Sequence, residues 1–112
     1  MTGAPFALPV FLLAAALEIG GCWLIYAVVR LGWHPAFLAA GLVGLAGFGA
    51  ALTLVDTGGA GRTFAAYGGI YVIASLIWLH VVEGVPLRAT DGIGAALVLL
   101  GALVVLFGAR NA

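Results

Sequence analysis

Four long apolar runs, separated by three short charged linkers, constrain this chain more than any other feature. The runs are residues 6–29, 36–55, 63–82 and 92–109. Each is close to the roughly 20 residues that a helix needs to cross a hydrocarbon core of about 30 Å. No water is available inside that core, so backbone N–H and C=O groups must pair within the segment and each run is expected to be helical. A transmembrane barrel would need strands of alternating polarity, and these runs do not alternate. The linkers "RLGWHP", "DTGGAGR" and "EGVPLRATD" each combine Gly or Pro with a charge, as turns at a membrane surface do.

Composition supports the same solvent. The 112 residues are 65% hydrophobic and 7% charged, whereas soluble domains average roughly 25% charged residues. Four basic and four acidic side chains cannot cover a soluble fold. The expected fold class is an all-α membrane protein, one domain folded as a four-helix transmembrane bundle. The zero net charge lacks the basic stripe of a nucleic-acid partner. Cys22 is the single cysteine, so no internal disulfide forms, and no metal-ligand spacing or cofactor motif occurs. The opening "MTGAPFALP" lacks a basic n-region, so the first run is expected to stay as a helix. No nucleophile–base pair appears, and the "GGAG" of the second linker lacks the Lys-Ser/Thr of a phosphate loop. An enzyme is not expected.

Arginines set orientation by their bias toward one side. With both termini on one side, Arg62 and Arg110 share that side, and Arg30 and Arg88 share the other. The balance is two against two. It leaves open either dual topology, with copies inserted both ways and paired antiparallel, or a weak bias that simple counting misses. Trp33 is expected in an interfacial aromatic belt, and His80 near the interface.

Glu18 breaks the pattern, because it lies halfway along the first run. An acid at that depth costs about 2.5–3.5 kcal/mol on insertion scales, and such residues mark ion or substrate paths. The bland alternative is a protonated glutamate bonded to a neighbouring helix. Phe11, Ala14, Ala15, Gly21, Cys22 and Ile25 share its helical face. The small ones, Ala14, Gly21 and Cys22 among them, leave room either for a ligand or for close helix packing. The run holds no Lys or Arg to pair with the carboxylate. It can therefore take a proton or a cation, and the two compete.

The third run supplies an aromatic stripe at helical spacing: Phe64, Tyr67, Tyr71 and Trp78, with Ser75 between the last two. Aromatic faces attract organic cations by about 0.5–2 kcal/mol, although aromatics also simply pack. Gly68 and Gly69 beside the stripe permit a kink or a close approach. Gly94, Gly101 and Gly108, each seven apart, form a small-residue seam on the fourth run that reads as an assembly face. Gly41, Gly44 and Gly47 smooth one face of the second. Four short helices enclose a substrate poorly, and a homodimer would supply eight.

At "LEIGGCWL" and "GRTFAAYGGIYVIASLIWLHVVEGVPLRATDGIGA" the chain resembles the YnfA family of bacterial inner-membrane proteins, and the resemblance covers essentially its whole length. That family is in turn similar to the small multidrug resistance transporters of the drug/metabolite transporter type. The resemblance implies a dimer in the bacterial inner membrane that exports cationic compounds, such as quaternary ammonium biocides and dyes, in exchange for protons. It implies that Glu18 is the shared proton and substrate site. Phe64 matches a position that is aromatic in those transporters, often tyrosine. Tyr67 stands where they usually carry a substrate-contacting tryptophan. Gly68 and Gly69 match their helix-three kink, and the fourth-run glycines match their dimerising helix.

The leading expectation is therefore a proton-coupled secondary transporter for small hydrophobic or quaternary ammonium cations, working by alternating access. Export of guanidinium or polyamine cargo remains an alternative. A passive ion channel or a purely structural membrane protein would belong to a different class.

Overall fold

A computed structural model describes the backbone of residues 4–111 and the side chains of residues 7–108. Arg110 and the last residue of the fourth run, Ala109, therefore have side chains outside the described residues. Four helices follow one another: α1 (Ala4–Leu31), α2 (Ala36–Leu52), α3 (Ala60–Val81) and α4 (Ala89–Asn111). There are no strands among the described residues. The chain is an all-α, four-helix membrane bundle. At about 1.5 Å per residue, the 28 residues of α1 reach roughly 42 Å. The 17 residues of α2 reach only about 25 Å.

The shortfall in α2 is made up by a tighter turn. Thr53, Leu54 and Val55 donate to the carbonyls of Ala50, Ala51 and Leu52 at 3.1, 3.1 and 3.3 Å. These are bonds to the third residue back, the 3₁₀ pattern common at helix ends. The Thr53 hydroxyl also donates to the Ala50 carbonyl at 2.6 Å. The apolar run to Val55 is thus continuous, but its last turn is not α-helical. Elsewhere the helices outrun the apolar stretches. α4 starts three residues before Gly92, because Asp91 Oδ2 accepts the backbone N–H of Arg88 at 2.9 Å. That is half of a capping box, and it also places an acid at the positive end of the helix dipole.

α1 and α3 end alike. Gly32 (φ 77°) and Gly84 (φ 72°) take the left-handed conformation. The following residues, Trp33 and Val85, donate back to Ala27 and Leu79, both at 3.1 Å. Each bond reaches six residues back and closes the helix end around a left-handed glycine, where a side chain would be strained.

The helices pair as two hairpins, α1 with α2 and α3 with α4, joined mainly through α1 and α3. Small residues set the closest approaches. A Cβ on Gly21 would lie 2.7 Å from the Gly41 carbonyl oxygen, and one on Gly41 would lie 2.8 Å from that of Gly21. Gly44 faces the Leu17 carbonyl in the same seam. In the other hairpin, a Cβ on Gly69 would sit 2.6 Å from that of Ala102. The buried core gathers Ala7, Val10, Phe11, Ala14, Ala15, Ala51, Leu52, Val55, Ala66 and Tyr67. The whole measures 48 × 33 × 18 Å, a flattened slab with many large exposed apolar side chains suited to lipid.

Candidate functional site

Glu18 lies near the middle of α1 and is half-buried. Tyr67 Oη donates to its Oε1 at 2.8 Å. The tyrosine is only 5% exposed and is held on three sides. Phe11 of α1 meets its ring edge-on with centroids 5.7 Å apart, Phe48 of α2 lies 5.3 Å away, and Tyr71 of its own helix lies 6.1 Å away. The Phe11 contact is the edge-on geometry that aromatic pairs favour, and the other two are tilted at 48° and 44°. Three helices thus fix the ring, and the ring fixes one oxygen of the carboxylate.

Glu18 also lines an open cavity of about 410 Å³, together with Phe48, Gly49, Leu52, Phe64, Tyr67, Gly68 and Tyr71. Phe64, also in the lining, is 55% exposed. Gly68 has nothing within 4 Å of where a Cβ would stand, so its missing side chain is part of the space. No arginine stands nearby in the sequence, since Arg30, Arg62 and Arg88 all lie at or beside helix ends and the chain has no lysine. The arrangement is a carboxylate held by a neutral donor in the lining of an open, largely aromatic cavity. Such a group can exchange a proton for an organic cation, with the rings contributing cation–π attraction.

The structure divides the residues singled out from the sequence among four places. Glu18, Phe64, Tyr67, Gly68 and Tyr71 come together around this cavity. Ser75, Trp78 and Cys22, again with Tyr71, line a second cavity of about 300 Å³ with Ile19, Trp23, Tyr26 and Glu83. Tyr71 lines both, so the aromatic stripe of α3 serves more than one space.

The small residues of helix contacts form the third place. Ala14 is fully buried in the core, Gly21 is pressed on Gly41, and Gly69 is pressed on Ala102. Here the small side chains are used for helix approach. α3 also runs as one unbroken helix through Gly68 and Gly69. The fourth place is the outer face of α4, where Gly94, Gly101 and Gly108 all look onto open space.

Sequence reasoning missed Phe48, Gly49 and Leu52. Their signal was faint: Phe48 is the only aromatic in the second half of α2. It also missed Trp23 and Tyr26, which stack on one another at 5.5 Å, with Trp23 also 5.7 Å from Trp78.

Comparison with known proteins bears on the same residues. The family model described as "Uncharacterised BCR, YnfA/UPF0060 family" matches residues 6–111, a stretch that includes Glu18, Tyr67 and both cavities. A UPF0060 membrane protein of Gluconacetobacter diazotrophicus is 47% identical over 103 residues, covering 92% of this chain and 90% of that protein. No solved structure matches the chain. With a match over nearly its full length, and with four apolar helices that fit a multi-pass membrane protein, the chain belongs to the YnfA/UPF0060 family.

Proposed function

We propose that this protein is a proton-coupled secondary transporter of the bacterial inner membrane, exporting small hydrophobic or quaternary ammonium cations by alternating access. The observation that carries the reading is the Tyr67–Glu18 hydrogen bond of 2.8 Å in the lining of an open aromatic cavity. A carboxylate placed there for packing alone would be enclosed. This one opens onto space large enough for a small organic cation, with Phe48, Phe64, Tyr67 and Tyr71 around it.

In this mechanism Glu18 alternates between two occupants. A cation enters from the cytoplasm against the ionised carboxylate and the rings. After the site turns outward, a proton from the exterior takes the carboxylate and the cation leaves. Tyr67 keeps the carboxylate oriented throughout without neutralising it. The working unit is a homodimer, in which two Glu18 side chains face one chamber and titrate as a coupled pair. The outward glycines of α4 supply the face on which copies meet, and the even split of arginines lets those copies insert antiparallel.

The test is gradient-driven flux in proteoliposomes. An imposed proton gradient should drive movement of a quaternary ammonium dye by the wild-type protein. Glu18→Gln should abolish that movement while leaving the protein folded. Full gradient-driven flux in the Gln variant would overturn the proposal.

A further inference from the structure

The cavity shared by Trp23, Tyr26, Tyr71 and Trp78 is not needed to bind at Glu18, yet it is built from the same chemistry. Four aromatic rings line it, and a second carboxylate, Glu83, lines it from the linker after α3. Trp23 and Tyr26 stack nearly parallel at 18°, and Trp78 meets Trp23 at 60°. This row already holds one cation, because the Arg30 guanidinium lies over the Tyr26 ring, 5.8 Å from its centroid. Two residues of the lining each carry a buried polar atom without a hydrogen-bond partner: Ser75 Oγ and Trp78 Nε1. Buried donors are rarely left unpaired, and each is costly to leave so. The indole N–H can only donate, and the hydroxyl can donate or accept.

We propose that this cavity is a second station for organic cations, nearer the membrane surface than Glu18, and that it selects cations carrying a hydrogen-bond acceptor such as a carbonyl. The rings and Glu83 hold the positive charge. Trp78 Nε1–H and the Ser75 hydroxyl, buried in the unliganded protein, are reached when the cation displaces the side chains over them, and they then donate to its acceptor. A bare tetraalkyl cation satisfies the rings but leaves both donors unpaired. Because Tyr71 borders both cavities, a cation passing between Glu18 and the surface that carries Glu83 moves past a single ring. The direction of that traffic rests on the transporter reading above, but binding at the station does not.

The test uses Glu18→Gln protein in lipid nanodiscs, titrated by calorimetry with benzyltrimethylammonium and with its carbonyl-bearing counterpart, phenacyltrimethylammonium. Residual binding of both is expected, with the phenacyl compound tighter by about fivefold to tenfold, the value of one or two hydrogen bonds. Adding Trp78→Phe should keep the binding and erase the preference. Adding Glu83→Gln should weaken both probes. Glu83 is exposed, so this variant tests the charge without disturbing the core. No residual binding in the Glu18→Gln protein, or equal affinities for the two probes, would overturn the proposal. Its failure is separable from failure of the transporter reading. Proton-driven flux through the wild type does not depend on this preference, and the preference is measured without a proton gradient.

Discussion

Gly68 and Gly69 are adjacent on α3 and chemically identical, yet the structure gives an added methyl group opposite consequences at the two. At Gly69 a Cβ would lie 2.6 Å from Ala102 Cβ and 3.3 Å from Leu99 Cα. Carbon atoms sit comfortably at about 3.5–4.0 Å, so α3 and α4 would have to part by roughly 1 Å. Overpacking of this kind costs about 1–3 kcal/mol. At Gly68 nothing lies within 4 Å, and the methyl enters the Glu18 cavity. Both changes gain the same intrinsic helix preference of alanine over glycine, so it cancels in the comparison. Gly69→Ala should therefore be about 1–3 kcal/mol less stable than Gly68→Ala in equilibrium unfolding from mild detergent into SDS. Gly68→Ala should instead weaken binding of a bulky quaternary ammonium while being at least as stable as the wild type. Adding Ala102→Gly to Gly69→Ala should recover much of the loss, and the double-mutant cycle reads the coupling directly. Equal stability of the two alanine variants, or no coupling to Ala102, would refute the reasoning that this seam sets the α3–α4 approach.

Tyr67→Phe keeps the ring among Phe11, Phe48 and Tyr71 and removes only the donor to Glu18. Bonds to a charged group contribute about 1.5–3 kcal/mol, so cation affinity measured by calorimetry should fall about tenfold or more; an unchanged affinity would make that bond incidental. Thr63 is 3% exposed, and its hydroxyl meets Thr57 Oγ1 at 2.9 Å and donates to the Val55 carbonyl at 3.3 Å. Thr63→Val should destabilise the α2–α3 connection by about 1–3 kcal/mol, seen as earlier unfolding in SDS with transport geometry otherwise intact. Gly101→Leu places a large side chain on the open face of α4 and should leave the single-chain fold unchanged. Crosslinking in membranes should show loss of the dimer, whereas an unaltered dimer would move the interface to another helix.

The four helices were legible because lipid leaves a chain so few options. Continuous apolar runs must be helices, and charges must stand at their ends. The helix ends were less legible because they are decided by single bonds. Asp91 extends α4 backwards by capping Arg88, and Thr53 turns the end of α2 into a 3₁₀ coil, and neither shows in an apolar window. The site was legible in its centre and not in its extent. Glu18 and Tyr67 stand out as the wrong polarity and the right spacing, and they meet. Which small residue makes space and which makes contact was open, because both uses favour the same residue types. The structure gives Gly68 to the cavity and Gly21 and Gly69 to the seams. Trp23 and Tyr26 escaped because they lie five and eight positions beyond Glu18, outside the three, four and seven that define its face. The packing of α1 on α3, which brings Trp23 to Trp78, belongs to no single helix.

The choice of partner for Glu18 follows from the medium. In water a surface carboxylate gains little from a nearby cation. Inside the bilayer the same attraction is far stronger, because it scales inversely with the local dielectric. An arginine or lysine at hydrogen-bond distance would hold Glu18 so firmly that no mobile cation could compete for it. No partner at all would leave the carboxylate free to rotate and the site without a fixed geometry. Tyrosine avoids both outcomes. Its hydroxyl fixes one oxygen at 2.8 Å and carries no charge, so whatever negative charge Glu18 holds remains available to a ligand. The rings of Phe11 and Phe48 then keep the tyrosine from turning away. On this argument, basic residues are absent beside Glu18 because a fixed cation would compete for the carboxylate with one that comes and goes.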